Sequence, residues 1–226
     1  MSERPVLFVH GFATSAERTW REPGWLDLVA DAGRPTIAPD LLGHGTASHP
    51  HDPAAYEHLE QGLLDALPDE PVDAIGFSLG ARTLLVAAAA HPERFHRLVV
   101  AGVGSNLFRD EGGETIAAAI EGPDDPEHPV AQHFRQLAHQ PGNDPVALAA
   151  CMRRPARPLT ADDLARVTLP VLVVVGDQDF VLPVEPLVEA LPDATLVTLR
   201  HVDHFGTPKS MTFIDEALAF VDARPF

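Results

Sequence analysis

Apolar residues fall along the chain in six short runs: Val6 to Val9, Thr36 to Ala38, Val72 to Phe77, Leu98 to Ala101, Val171 to Val175 and Thr195 to Leu199. Their length and their content of Val, Ile and Leu mark them as strands. Val171-Leu-Val-Val-Val175 shows no polar alternation, the pattern of a central strand covered on both faces. Stretches of helical spacing separate most of the runs, including Ala81 to Ala90 and Ser210 to Asp222. Strand and helix in alternation predict an α/β fold, a doubly wound, mostly parallel sheet of about six strands with right-handed crossovers and helices on both faces.

Between Val103 and Leu169 the pattern changes. This interval holds no strand of the core kind and is too long for one crossover, so it predicts an inserted helical cap at 103–169 on a core made of 1–102 and 170–226. Thr115 to Glu121 is Ala-rich, and Val130 to His139 carries Val130, Phe134, Leu137 and Ala138 at helical spacing. Pro145 to Arg153 follows Asn143-Asp144, a good N-cap pair with proline in the first turn. Thr160-Ala-Asp-Asp163 has the form of a capping box opening a last short helix.

One strand end carries a chemical signal. Gly76-Phe77-Ser78-Leu79-Gly80 stands where the third apolar run turns into a helix. Such a turn strains the backbone at the serine and leaves no room for side chains at the flanking glycines, so the hydroxyl stands out above the sheet. Ser78 is therefore a candidate nucleophile. A serine hydroxyl also needs a base, an orienting acid and donors for an oxyanion. The loop His201-Val-Asp-His-Phe-Gly206, after the last strand, offers His204 as the base with His201 as rival. The acidic loop after Val175 offers Asp179 or Asp177 as the acid, and Asp203 is a third candidate.

The order Ser78, acid, His204, together with His10-Gly11-Phe12 after the first strand and Asp40-Leu-Leu-Gly-His-Gly45 after the second, resembles the α/β-hydrolase superfamily. The resemblance runs from Pro5 to the last helix. It implies a serine hydrolase that needs no cofactor, places the acid at Asp179, three residues after Gly176, and assigns the oxyanion hole to the backbone N–H groups of Phe12 and Leu79. It also implies that an opening antiparallel hairpin is missing here. A methionine commonly follows the nucleophile in cofactor-free perhydrolases of this fold, whereas Leu79 stands here. Dehalogenases and epoxide hydrolases would have an aspartate at position 78.

Composition narrows the partners. With 16 basic and 33 acidic residues the net charge is −17, which argues against nucleic acid and anionic membrane surfaces. A single cysteine, Cys151, excludes an internal disulfide, and the twelve histidines show no metal-ligating spacing, so no metal is expected. No apolar signal region and no run of 18 apolar residues is present, so a cytoplasmic location is expected.

Substrate contacts fall to the cap and entrance. Leu107, Phe134 and Met152 are candidates for an acyl pocket, with core packing as the plainer assignment, and Trp20 is a candidate for its border. Arg82, one helical turn after Ser78, either braces the helix beneath the cap or binds a substrate carboxylate; in the family that the chain resembles, an arginine at this offset also appears in relatives that act on carboxylate-bearing substrates, such as the menaquinone-pathway lyase. Bracing is the expectation. Arg109, Arg153, Arg154 and Arg157 are weighed in the same way, as solvated or helix-terminal charges against carboxylate ligands. The expected activity is hydrolysis of a small to medium uncharged carboxylic ester. The alternatives are a lyase or carbon–carbon bond hydrolase acting on a carboxylated metabolite, or a silent ligand-binding protein of the same fold.

Overall fold

The computed structural model describes residues 4–109, 113–123 and 127–225, and in it the six apolar runs form one sheet. The strands are β1 (Val6–Val9), β2 (Thr36–Ile37), β3 (Val72–Phe77), β4 (Phe95–Ala101), β5 (Val171–Gly176) and β6 (Ala194–Leu199). Their order is β2-β1-β3-β4-β5-β6, and every neighbouring pair is parallel. The strands end close to where the apolar pattern does. The exception is β4, which starts three residues early, at buried Phe95 followed by half-buried His96 and Arg97.

Alternate residues of each strand feed two separate cores. Leu7 and Val9 face one layer, made by α2 (Leu59–Ala66), α3 (Leu79–Ala90) and α8 (Glu185–Ala190). Val6 and Phe8 face the other, made by α1 (Trp25–Asp31) and α9 (Met211–Phe220). The sheet is thus covered on both faces, and for that reason β5 is a continuous apolar run and β3 and β4 are apolar apart from Asp73, His96 and Arg97.

Among the described residues four α-helices lie between β4 and β5: α4 (Gly113–Glu121), α5 (Pro129–Ala138), α6 (Pro145–Met152) and α7 (Ala161–Leu164). Their starts follow local chemistry. The Asp144 carboxylate accepts from the N–H groups of Val146 and Ala147 with Pro145 at the first position, and Thr160 and Asp163 form a reciprocal capping box. Helix α6 is buried from Ala147 to Cys151, and burial pushes the Cys151 thiol up to about 11, so this cysteine is core filler.

A buried ion pair holds the end of β3 remote from the nucleophile. Asp73 lies within an apolar strand, and its carboxylate receives Arg34 Nη2 at 2.7 Å and faces His96 Nδ1 at 2.8 Å. Arg34 also donates to the carbonyls of Arg4 and Val221. A buried charge is tolerated only with such saturation of its hydrogen bonds.

Candidate active site

Ser78 has φ 53° and ψ −115°, a conformation that an L-residue adopts only under constraint. The constraint comes from its flanking glycines. A Cβ at Gly80 would stand 2.3 Å from the carbonyl oxygen of Val9, and one at Gly76 would stand 2.9 Å from Ala81 Cα and N. Strand β3 can therefore turn directly into α3 only with glycine at both positions, which presents Ser78 at the C-terminal edge of the sheet.

His204 meets it there. Its Nε2 lies 3.0 Å from Ser78 Oγ, and its Nδ1 lies 3.0 Å from both carboxylate oxygens of Asp179. The carboxylate accepts only, so Nδ1 carries the proton and Nε2 presents a lone pair to the Ser78 hydroxyl. Asp179 and His204 are 4% and 2% exposed, and Asp179 also accepts from the Val181 N–H at 3.1 Å. The rival candidates stand elsewhere. Asp177 accepts the His201 N–H and fixes the loop after β6, and Asp203 accepts the Gly206 N–H within its own turn.

Three aromatic rings surround the imidazole, with centroids at 4.4 Å for Phe180, 4.9 Å for Phe77 and 5.3 Å for Phe205. Phe180 and Phe77 lie tilted over the ring, at interplanar angles of 37° and 40°. Neither was among the site candidates from sequence. The available signal was position alone, beside Asp179 and beside Ser78.

The N–H groups of Phe12 and Leu79 make no hydrogen bond among the described residues. Leu79 opens α3, so its amide stands at the positive end of a twelve-residue helix. The loop carrying Phe12 is held from behind. His10 Nδ1 donates to the Gly11 carbonyl at 2.7 Å and its Nε2 accepts the Leu41 N–H at 3.0 Å, which fixes one neutral tautomer. The ring of His44 packs against those of His10 and Phe12. Burial, and then the neighbouring His10, push His44 down to about 3, and burial lowers His10 as well. Asp40 accepts the N–H groups of Ala16 and Thr46 and closes the loop between them.

Ser78 and His204 border two pockets. One, of about 190 Å³, reaches past Phe12 and Leu79 to Ile116, Met152, Arg82, Arg109 and Arg154. The other, of about 920 Å³, runs along His133, Leu137, Phe205 and Lys209. Phe134 of α5 borders both and packs edge-on against Phe12 and Phe205. Arg82 Nη2 donates to the Arg157 carbonyl at 2.6 Å while its side chain also lines the smaller pocket.

Two expectations about substrate contacts are corrected. Trp20 is fully buried and packs on Phe8 and Trp25 in the core layer with α1 and α9, because the helical turn Glu17–Arg21 aims it at the sheet rather than the entrance. Leu107 is also fully buried, in the core beside Val103, and lines neither pocket. Among the described residues no helix is long and apolar enough to cross a membrane, and no cluster of three or more His, Cys, Asp or Glu side chains is placed to hold a metal ion.

Comparison with known proteins places the chain in a family. An epoxide hydrolase from Caballeronia sordidicola is 39% identical over 95 residues, which cover 40% of this chain and 28% of that protein, so the chain spans well under half of this relative. A pimeloyl-[acyl-carrier protein] methyl ester esterase from Neisseria meningitidis serogroup B is 30% identical over 203 residues, 75% of each protein. The solved structure of a marine microorganism esterase superposes with a TM-score of 0.71 at 21% identity, covering 97% of this chain and 96% of that one, and shows the same fold. A sequence profile described as the alpha/beta hydrolase fold matches residues 4–151. The chain belongs to the alpha/beta hydrolase fold family.

Proposed function

We propose that this protein is a serine hydrolase that cleaves small to medium carboxylic esters through an acyl-enzyme on Ser78. The observation that carries this reading is the continuous chain of contacts from Ser78 Oγ through His204 to Asp179, each at 3.0 Å. Ser78 Oγ attacks the acyl carbonyl as His204 Nε2 takes its proton. Asp179 keeps the other imidazole nitrogen protonated and offsets the charge on the ring. The Phe12 and Leu79 amides receive the oxyanion at the helix terminus. His204 then protonates the departing alcohol, and later draws a proton from the water that releases the acid.

In this reading residues 103–169 form a cap, since α5 places Phe134 against the loops that carry Phe12 and Phe205. The partner is a small-molecule ester, no cofactor takes part, and the acidic chain acts in the cytoplasm without binding nucleic acid or membrane. A second reading, carbon–carbon bond hydrolysis or elimination on a carboxylated metabolite by the same three residues, draws on the three arginines that border the smaller pocket. Labelling with a fluorophosphonate tests the nucleophile. Wild type should be modified at Ser78 and Ser78→Ala should not. An unlabelled wild type, or labelling that persists in the variant, would overturn the assignment. A panel of neutral esters of rising chain length then measures the reach of the pocket.

A further inference from the structure

The turn that follows α6 carries three arginines, and the structure treats them differently. Arg153 is held by the carboxylates of Glu114 and Glu121 at 2.8 Å each, on the outside of the helical segment. Arg157 is held by Asp163 at 2.6 Å. Arg154 between them has no ion pair with a described residue. Its one hydrogen bond among the described residues runs from Nη1 to the Cys151 carbonyl at 2.8 Å, which orients the guanidinium without neutralising it. It is partly buried, and it borders the 190 Å³ pocket that also contains Ser78 and His204.

The protein has 33 acidic and 16 basic residues, yet the described residues lining the pocket include Arg82, Arg109 and Arg154 and no carboxylate. On its far side Arg154 also borders a second pocket, lined by Glu57 and Glu60 together with Arg82 and Arg157, whereas on the near side it shares a pocket with Ser78. At physiological salt the repulsion from the net charge of −17 is screened over about 8 Å, whereas a guanidinium in contact with a carboxylate inside a pocket is screened far less. The planar fork of arginine matches a carboxylate with two parallel N–H donors.

We infer that Arg154 anchors a carboxylate on the substrate, so that the preferred esters are hemiesters of short dicarboxylic acids rather than uncharged esters. The inference rests on the assignment of Ser78 as the nucleophile and narrows the substrate class of that site. Ile116, Met152 and Phe134 also line this pocket, and its volume of about 190 Å³ suits a short arm.

The test compares monoethyl glutarate with ethyl pentanoate, which differ in the terminal carboxylate. Wild type should prefer the hemiester by roughly ten- to a hundredfold in kcat/KM, the size of a charge-assisted hydrogen bond. Arg154→Met should remove that preference, chiefly through KM. Arg154→Lys, which keeps the charge but not the fork, should retain part of it and serves if the methionine variant folds poorly. Arg153→Met should leave the ratio unchanged. A wild type without preference, or a preference that survives in Arg154→Met, would overturn the inference.

A binding arm separates this outcome from failure of the nucleophile assignment. Calorimetric titration of Ser78→Ala with monoethyl glutarate should show binding that weakens at least about tenfold on adding Arg154→Met. Equal binding with and without Arg154 refutes the anchor even where fluorophosphonate labels Ser78. Binding that depends on Arg154, in a protein that fluorophosphonate does not label, refutes the serine mechanism and leaves the anchor standing.

Discussion

The turn around Ser78 and the helical segment between β4 and β5 enclose the same cavity, but different forces hold them. The turn is a backbone device. Ser78 N–H donates to the Ala101 carbonyl at 2.8 Å, Gly80 lies against the carbonyls of Val9 and His10, and β3 is buried along its whole length. Nothing in it can shift without moving β1 or β4. The helical segment is a side-chain device, assembled from an aspartate N-cap, a capping box, the ion pairs of Arg153 and the rings around Phe134. It touches the loop after β1 through a few polar contacts, such as Arg18 to the Pro141 carbonyl and Asn143 to the Ala13 carbonyl. The turn is thus fixed by close backbone packing, and the helical segment by contacts between side chains.

The largest expected effect lies in the turn. Ser78→Ala should lower kcat by roughly 10⁴- to 10⁶-fold with little change in melting temperature, because the three residues act as a unit. Full turnover of an ester by this variant would dissolve the contrast. Next comes the acid. Asp179→Asn should cost on the order of 10²- to 10⁴-fold in kcat by disturbing the imidazole tautomer, while Asp177→Asn, which touches only the His201 N–H, should stay within about tenfold of wild type. The reverse ranking would move the acid to Asp177.

Gly80→Ala sharpens the comparison through stability. The added methyl meets backbone atoms of β1 and not a flexible side chain, so the cost should reach about 1 to 3 kcal/mol by denaturant titration, with activity falling alongside. A variant as stable as wild type would show that the turn can relax. At the other extreme, Arg153→Met breaks exposed ion pairs of the helical segment and should shift the melting temperature by a few degrees at most. A large loss there would mean that the segment depends on its surface charges.

Acid provides a further probe of the loop behind Phe12. His44 is held neutral with a pKa of about 3, and His10 is lowered in the same direction, whereas Asp40 beside them pulls the other way. An unfolded histidine titrates near 6.5, so below that pH the unfolded chain binds protons that the folded one refuses. Stability should therefore fall as the pH drops from about 6.5 toward 5, by up to about 1.4 kcal/mol per unit for each such histidine. The slope should be shallower in His44→Gln, measured as urea midpoints at several pH values. An identical slope would remove His44 from the account.

The same division explains what could be read from the sequence. The parallel sheet and the turn at Ser78 were legible because apolar runs, flanking glycines and helical spacing act over a few residues. The starts of α6 and α7 were legible for the same reason, since a cap needs only its next three residues. Asp179 and Asp177 were harder to separate, because two residues of one loop point in directions that only the folded backbone decides. Trp20 was misread, since the turn at Glu17–Arg21 carries no pattern that tells the inner face from the entrance. The partner of Asp73 lay beyond any local signal. A lone acid in an apolar strand announces that it needs a cation, but not that the cation is Arg34.

That ion pair has a consequence for alignment. Strand β3 works as a beam clamped at both ends, by Arg34 on Asp73 at one end and by the fit of Gly76 and Gly80 against their neighbours at the other. Its pairing with β4 is irregular between Val72 and Asp73, the place where a strand could slide. One residue of slip would carry the strand about 3.3 Å along its axis and turn its side chains to the opposite face. The contact between Ser78 and His204 spans 3.0 Å and would not survive it. Register along the beam, set five residues before the nucleophile, is thus a condition for the hydroxyl to find its base.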